Sequence, residues 1–249
     1  FVTVVNADVP TVGMITNTDK VNGQNYVTVE CNVASLSINR SLSFRWKSEE
    51  WDADELSSIS PSPISKTIYL RVYDFPVVFS ILPNSLTVGR SYTFKLEASY
   101  DSTFGSEYIG VGEFSTVINE PPTGGQLRVS PIVGETLSVD FVVKTYDWID
   151  SIEDYPLVYF MSSYLLSPDE YTLLKAYSEV SLVKTVLGVG NQSLSVYAKD
   201  IYGSTSSTTQ TVSVTPMRSL TDAKNKVNVL LDEALSTGDY GGVSTIVDA

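Results

Sequence analysis

The 249-residue sequence contains no histidine and a single cysteine, Cys31. Without an imidazole there is no histidine-based serine or cysteine triad, and most zinc sites lose their usual ligand. One cysteine forms neither an intrachain disulfide nor a thiolate cluster. In "NYVTVECNVAS" Cys31 sits in a strand pattern, either as a small buried hydrophobe or as one half of an intermolecular bridge. Positive charge is also scarce: 16 Lys and Arg against 29 Asp and Glu leave a net charge of −13. Such a surface repels phosphate and releases no counterions, so nucleic acid is not an expected partner. Anionic membrane surfaces are disfavoured for the same reason. No apolar run approaches the roughly 18 residues that span a bilayer, and no membrane contact is expected of this segment. There is no initiator Met or leader pattern at Phe1, and "FVTVV" already has strand character. A processed product, or a part of a longer protein, is therefore expected.

What is present points to a folded, strand-rich protein. Apolar residues make up 43% of the chain at a mean hydropathy of +0.05, a globular balance with room for two ordinary domains. Alternating runs rich in Val, Ile, Thr, Tyr and Phe, bounded by Gly, Pro, Asn and Ser, read as strands. A first group covers Tyr26 to Ala34, Leu42 to Trp46, Thr67 to Val72, Ser91 to Ala98 and Tyr108 to Ile118. A second covers Gln126 to Ser130, Glu135 to Lys144, Leu157 to Met161, Val180 to Val186, Ser193 to Ala198 and Thr208 to Val214. With no helical pattern between them, these spacings indicate antiparallel sandwiches rather than βαβ units. Val88-Gly89 and Val133-Gly134 each precede apolar residues at alternate positions, a weak echo between the halves that supports only shared strand chemistry. After Pro216 the period changes: Leu220, Ala223, Val227, Leu230, Leu231, Ala234 and Leu235 recur at threes and fours. Ser219 or Thr221 can cap the start and Gly238 the end, giving an amphipathic helix whose stripe needs a cover.

Between the halves lies "NEPPTGGQLRVSPIVGETLSVDF", Asn119 to Phe141. Pro121 and Pro122 fix φ and remove two donors, while Gly124 and Gly125 permit a reversal. Together they describe an interdomain joint of restricted angle. The expected organisation is all-β: tandem antiparallel β-sandwiches with a C-terminal amphipathic helix. The first sandwich is expected at 1–118, with residues 1–6 open to assignment to a preceding domain. The second occupies 119–216 and the helical extension 217–249.

Two resemblances sharpen this. "LPNSLTVGRSYTFKLEAS" resembles the corner-and-strand run of fibronectin type III domains, which implies that Tyr92 forms a tyrosine corner, its hydroxyl bonded to backbone upstream. "SLSFRWKS" is then a central strand carrying Trp46 into the same core. The stretch "INEPPTGGQLRVSPIVGETLSVDFVVKTYDWIDSIEDYPLVYFM" resembles the core of the receptor-for-egg-jelly (REJ) module of sperm receptors and polycystin-like proteins. Its matching pieces are Asn119 to Gly125, Val129-Ser130-Pro131, Gly134, Phe141, Trp148, Asp150, Pro156-Leu157, Tyr159 and Phe160. The resemblance extends from about Phe75 to Asp239, and the first seventy residues share only strand character with the family. It implies extracellular tandem fibronectin III/immunoglobulin-like antiparallel β-sandwiches in a large surface glycoprotein, with Trp148 in the core. Members often carry cysteines in this region, where this chain has none.

Candidate sites are few. The sequons Asn39-Arg-Ser and Asn191-Gln-Ser are glycan acceptors in a secreted chain. Two acidic clusters offer oxygens to calcium: Glu49, Glu50, Asp52, Asp54 and Glu55, and then Asp147, Asp150, Glu153 and Asp154. Neither has the ordered spacing of a calcium loop, and solvated acidic loops are the favoured reading of both. Trp51, amid the first cluster, is a candidate exposed contact or an ordinary half-buried ring. No carboxylate pair is placed across a cleft for glycosidase chemistry, so no catalytic residue and no cofactor other than calcium is assigned. The expected role is a non-catalytic structural or adhesive segment of an extracellular surface protein, with other protein domains and glycans as partners. The alternatives are the repeating subunit of a surface filament, or a carbohydrate- or calcium-recognition module.

Overall fold

The computed structural model describes residues 9–16, 18–100, 109–238 and 243. The "FVTVV" start and the expected strand onset at Tyr108 lie outside them. The chain divides into two compact units, Phe1–Glu120 and Pro121–Ala249.

Unit 1 contains β1 (Thr11–Met14), β2 (Lys20–Val21), β3 (Val27–Ala34), β4 (Ser41–Ser48), helix α1 (Ala53–Ser58), β5 (Ser65–Tyr69), β6 (Asp74–Ile81), β7 (Ser91–Ser99) and β8 (Gly110–Ile118). One sheet has the order β1-β3-β6 and the other β2-β8-β7-β4-β5. All pairings are antiparallel except β2 with β8. Period-2 alternation builds the core directly: β3 turns Val27, Val29, Cys31 and Val33 inward. Opposite them, β7 turns in Tyr92, Phe94, Leu96 and Ala98. Trp46 stacks on Phe79 at 4.8 Å, and Phe79 meets Phe94 at 5.6 Å. The Tyr92 ring is buried, and its hydroxyl accepts from the Thr87 N–H at 3.0 Å, the geometry of a tyrosine corner. Cys31 is buried, with its thiol 3.4 Å from the Met14 sulfur, and burial pushes its pKa up to about 12. That environment makes it an inert apolar filler, not a bridge-former.

Three expectations in unit 1 need correction. Strand β6 lies outside the predicted runs because Pro76 interrupts it. Proline is tolerated there since β6 is an edge strand, paired on one side only, with β3. The predicted strand at Thr67 to Val72 begins earlier and ends at Tyr69. The first acidic cluster is only partly loop: Glu49 and Glu50 lie in the bend after β4, while Asp54 and Glu55 belong to α1, where Asp52 and Glu55 form the capping box. Glu49 binds Lys95 at 2.8 Å, and Glu50 accepts from the Ser48 hydroxyl. Trp51 is half-buried, stacked on Tyr92 at 4.9 Å.

Unit 2 contains β9 (Gln126–Ser130), β10 (Val133–Glu135), β11 (Phe141–Tyr146), β12 (Val158–Tyr164), β13 (Thr172–Ser178), β14 (Leu182–Thr185), β15 (Gly190–Lys199), β16 (Thr205–Thr215) and helix α2 (Leu220–Thr237). Its sheets run β9-β11-β14 and β10-β16-β15-β12-β13, again with one parallel pair, β10 with β16. Strand for strand this is the order of unit 1. Both are fibronectin III/immunoglobulin-like sandwiches whose leading segment is shared between the two sheets. The Val-Gly echo does not follow this repeat. Val88-Gly89 forms the turn before β7, whereas Val133-Gly134 lies inside β10, whose counterpart in unit 1 is β2.

The predicted strand Glu135 to Lys144 is two strands. After β10 the backbone crosses between sheets through Thr136 to Asp140, with Leu137 in the left-handed region at φ +61°. The Thr136 hydroxyl donates to Leu187 O at 2.7 Å there. The apolar alternation continues through this crossing because Leu137 is buried too, which hides the break from the pattern. The peptide bonds Ser130-Pro131 and Tyr155-Pro156 are cis.

Helix α2 starts at the Ser219 cap and ends at Gly238 in the left-handed region. Ala223, Val227, Leu230, Leu231 and Ala234 pack with Leu137 and Val186, so the sandwich of unit 2 supplies the cover. Leu235, expected on that stripe, is instead 61% exposed, and the Leu220 side chain lies outside the described residues. No helix among the described residues is long and apolar enough to cross a membrane.

Candidate functional site

The loops at one end of unit 2 hold the second acidic cluster. Strand β11 stops at Asp147, whose φ of +60° turns the chain outward. Trp148 then folds back into the core with Leu157, Ala198 and Tyr159. Its indole N–H donates to the Thr145 hydroxyl at 2.6 Å, and that hydroxyl donates to Gln126 O at 2.8 Å. Ile149 pairs with Thr123 through two backbone bonds of 2.8 and 2.9 Å. The diglycine now has two separate reasons. Gly124 adopts φ +73°, while a Cβ on Gly125 would lie 2.0 Å from the Trp148 ring.

Beyond Trp148 the chain makes a short 3-10 turn at Ile152–Asp154. Asp154 is fully buried, and its carbonyl accepts from the Ile201 N–H at 3.2 Å, joining this loop to the β15–β16 turn. In that turn Asp200, 3% exposed, accepts from the Ser204 N–H at 2.9 Å. The result is a group of three carboxylates, Asp150, Asp154 and Asp200, with one oxygen of each within 4.8 Å of the others. Asp150 accepts from the Ser151 N–H at 2.8 Å through one oxygen, and its other oxygen is buried without a hydrogen-bond partner. Burial, with Asp154 and Asp200 as like-charged neighbours, pushes its pKa up to about 6.

This differs from the sequence-based set. Asp150 and Asp154 come together, but Asp147 faces away toward Gln126 Nε2 at 3.4 Å, and Glu153 is exposed. Neither belongs to the group. The third member, Asp200, was missed because it lies in another loop. Its own turn, "KDIYGS" with Gly203 at φ +86°, was the available signal. Three hard oxygen donors on two loops could seat a hard divalent cation completed by water or backbone carbonyls.

The other candidates are placed as follows. Asn39 and Asn191 are both exposed. Asn39 sits in the left-handed region at φ +62° between β3 and β4, its carbonyl held by the Tyr69 hydroxyl at 2.9 Å. Asn191 stands near the start of β15 opposite Ser213. Trp46 and Trp148 are core residues, 2% and 9% exposed.

The family model of the REJ domain matches residues 2–248, which includes the first seventy residues that shared only strand character. No curated protein matches the sequence. Among solved structures, an ICAM-5 D1–D4 ectodomain fragment is similar at 12% identity and a TM-score of 0.33, covering 82% of this chain and 53% of that one. A putative membrane anchored protein from Corynebacterium diphtheriae is similar at 9% identity and a TM-score of 0.28, covering 83% and 53%. The chain thus spans about half the length of each of these structures.

Proposed function

Because the chain belongs to the REJ domain family, we propose that it is a non-catalytic structural and adhesive segment of an extracellular surface protein. The carrying observation is the short anchored connection between its two sandwiches. The Asn119 N–H donates to Val21 O at 2.8 Å within unit 1, and Thr123 is paired to Ile149 within unit 2. Glu120, Pro121 and Pro122 alone separate these anchors, and the two prolines fix φ where they stand. A joint so short and stiff restricts interdomain angles and suits a spacer that transmits force or holds a fixed reach. Neighbouring domains of the same or another surface protein are its partners on this reading, and Asn39 and Asn191 carry its glycans. Small-angle scattering tests the spacer: Pro121→Gly/Pro122→Gly broadens the distribution of intramolecular distances, whereas an unchanged distribution argues against it. Natively isolated protein of cytosolic origin, with both asparagines unmodified by mass spectrometry, would overturn the extracellular assignment.

The buried, unpartnered oxygen of Asp150 favours one second reading, in which a divalent cation such as calcium bridges the two loops through Asp150, Asp154 and Asp200. Calorimetry with calcium chloride tests it. The wild-type chain gives a saturable heat that Asp200→Asn abolishes, and no heat from the wild type removes the reading.

A further inference from the structure

The outer face of the five-stranded sheet in unit 2 holds a bowl of about 300 Å³ lined by Phe160, Ser162, Pro168, Tyr171, Tyr177 and Tyr197. Phe160 is at its centre. Tyr171 and Tyr197 meet it edge-on at 5.6 and 6.0 Å, and Tyr177 lies tilted against it at 5.4 Å. The arrangement depends on a β-bulge: between the pairs Tyr159↔Ser178 and Met161↔Lys175, Phe160 alone faces both Ala176 and Tyr177. Bulges of this kind re-aim side chains and recur beside functional sites. Tyr171 and Tyr177 remain 51% and 43% exposed.

The matching face of unit 1 shows that the fold does not require these rings. There the equivalent strands β4 and β7 carry Arg45 and Lys47 against Glu97 at 2.6 and 2.7 Å, with Lys95 bound to Glu49 and Glu113. A charged ladder keeps that face in water. Unit 2 uses the same position to expose an aromatic floor with phenol hydroxyls around it.

We propose that this bowl binds a neutral, pyranose-containing glycan. A sugar ring presents an apolar C–H face to stack on aromatic rings and a rim of hydroxyls to exchange hydrogen bonds with tyrosines. A wholly apolar ligand would cover those phenols without satisfying them, at a cost. Charge selects among sugars. Lys199 lies against the bowl but is already engaged, its ammonium 3.8 Å from the centre of the Tyr177 ring. Asp169 and Glu170 are exposed immediately before Tyr171, and the chain carries −13 overall. Sulfated and uronate-bearing sugars are therefore repelled. Burial and the adjacent Tyr197 and Tyr171 raise the Tyr177 pKa, which keeps its hydroxyl a neutral donor and acceptor.

The test uses the full chain and NMR titration with mannotriose, maltotriose, cellotriose and chitotriose, and with a heparin-derived tetrasaccharide as the anionic arm. At least one neutral trisaccharide shifts the resonances of Phe160, Tyr171, Tyr177 and Tyr197, and the heparin fragment does not. Tyr177→Ala weakens that binding about tenfold, the loss of one well-stacked ring. Tyr171→Ala, at an exposed loop position, does the same with the unfolding midpoint unchanged. Tyr26→Ala, a 58% exposed tyrosine of unit 1, leaves binding intact. The proposal is overturned if no neutral trisaccharide moves these resonances, if heparin binds more tightly, or if both tyrosine variants bind like the wild type.

Discussion

Replacing Gly125 by alanine adds a single methyl group at the most crowded point of the interdomain stretch. Its Cβ would fall 2.0, 2.1 and 2.3 Å from three atoms of the Trp148 indole, against the roughly 3.5 Å of an ordinary carbon contact. The ring must retreat by about 1.5 Å. It is hemmed in by Leu157 and Ala198, so it cannot retreat while keeping the 2.6 Å bond to the Thr145 hydroxyl. Overpacking costs about 1–3 kcal/mol, and the lost indole bond about 0.5–1.5 kcal/mol more. The sum, roughly 2–4 kcal/mol, is a large share of the 5–15 kcal/mol that holds a typical domain. With a urea slope of about 1–3 kcal/mol/M, the unfolding midpoint of unit 2 falls by roughly 1–2 M. The assay follows the Trp148 indole N–H resonance through a urea series, with Trp46 and Trp51 reporting unit 1 in the same samples. Combining Gly125→Ala with Trp148→Leu restores room, so the two costs are strongly non-additive. A stability within about 0.5 kcal/mol of wild type, with the Trp148 resonance unmoved, would refute the account of why the second glycine is there. Gly124→Ala is a different experiment: its φ of +73° makes backbone strain the main cost, about 1–2 kcal/mol.

Two further outcomes follow from the geometry. Tyr92→Phe leaves the Thr87 N–H without its 3.0 Å acceptor and lowers the stability of unit 1 by about 1–1.5 kcal/mol, read from the urea midpoint of the Trp46 signal. The Asp150 carboxyl has its pKa raised from 3.8 to about 6 in the fold. Its stabilising contribution is therefore fully present below the unfolded value and lost as pH rises through the folded one. Unit 2 midpoints decline between about pH 4 and pH 7, Asp150→Asn removes that slope, and a flat wild-type profile contradicts the assigned environment.

Strands with strict alternation were legible because their side chains report burial at every second residue, as in β3, β7 and β8. Legibility failed where another force sets the path. Pro76 masks β6, and an edge position is what lets it stay. The bulge in β13 spoils its alternation, and that same defect brings Tyr177 against Phe160. At Leu137 the alternation persists while the backbone changes sheets, so the pattern signals a strand that the hydrogen bonds deny. The acidic site failed for a related reason. Asp147 and Glu153 are close to Asp150 in sequence but do not join its group, whereas Asp200 reaches it only because β12 begins where its antiparallel partner β15 ends. Proximity along a loop is a poor guide to proximity in space, and strand order is the better one. Strand order is also the property the two units share, which makes each a control for the other. Features found in both, such as the split leading segment, belong to the fold. Features present in one, the charged ladder of β4 and β7 or the aromatic bowl of β12, β13 and β15, are free of that constraint, and their chemistry is where the two units differ in what they can bind.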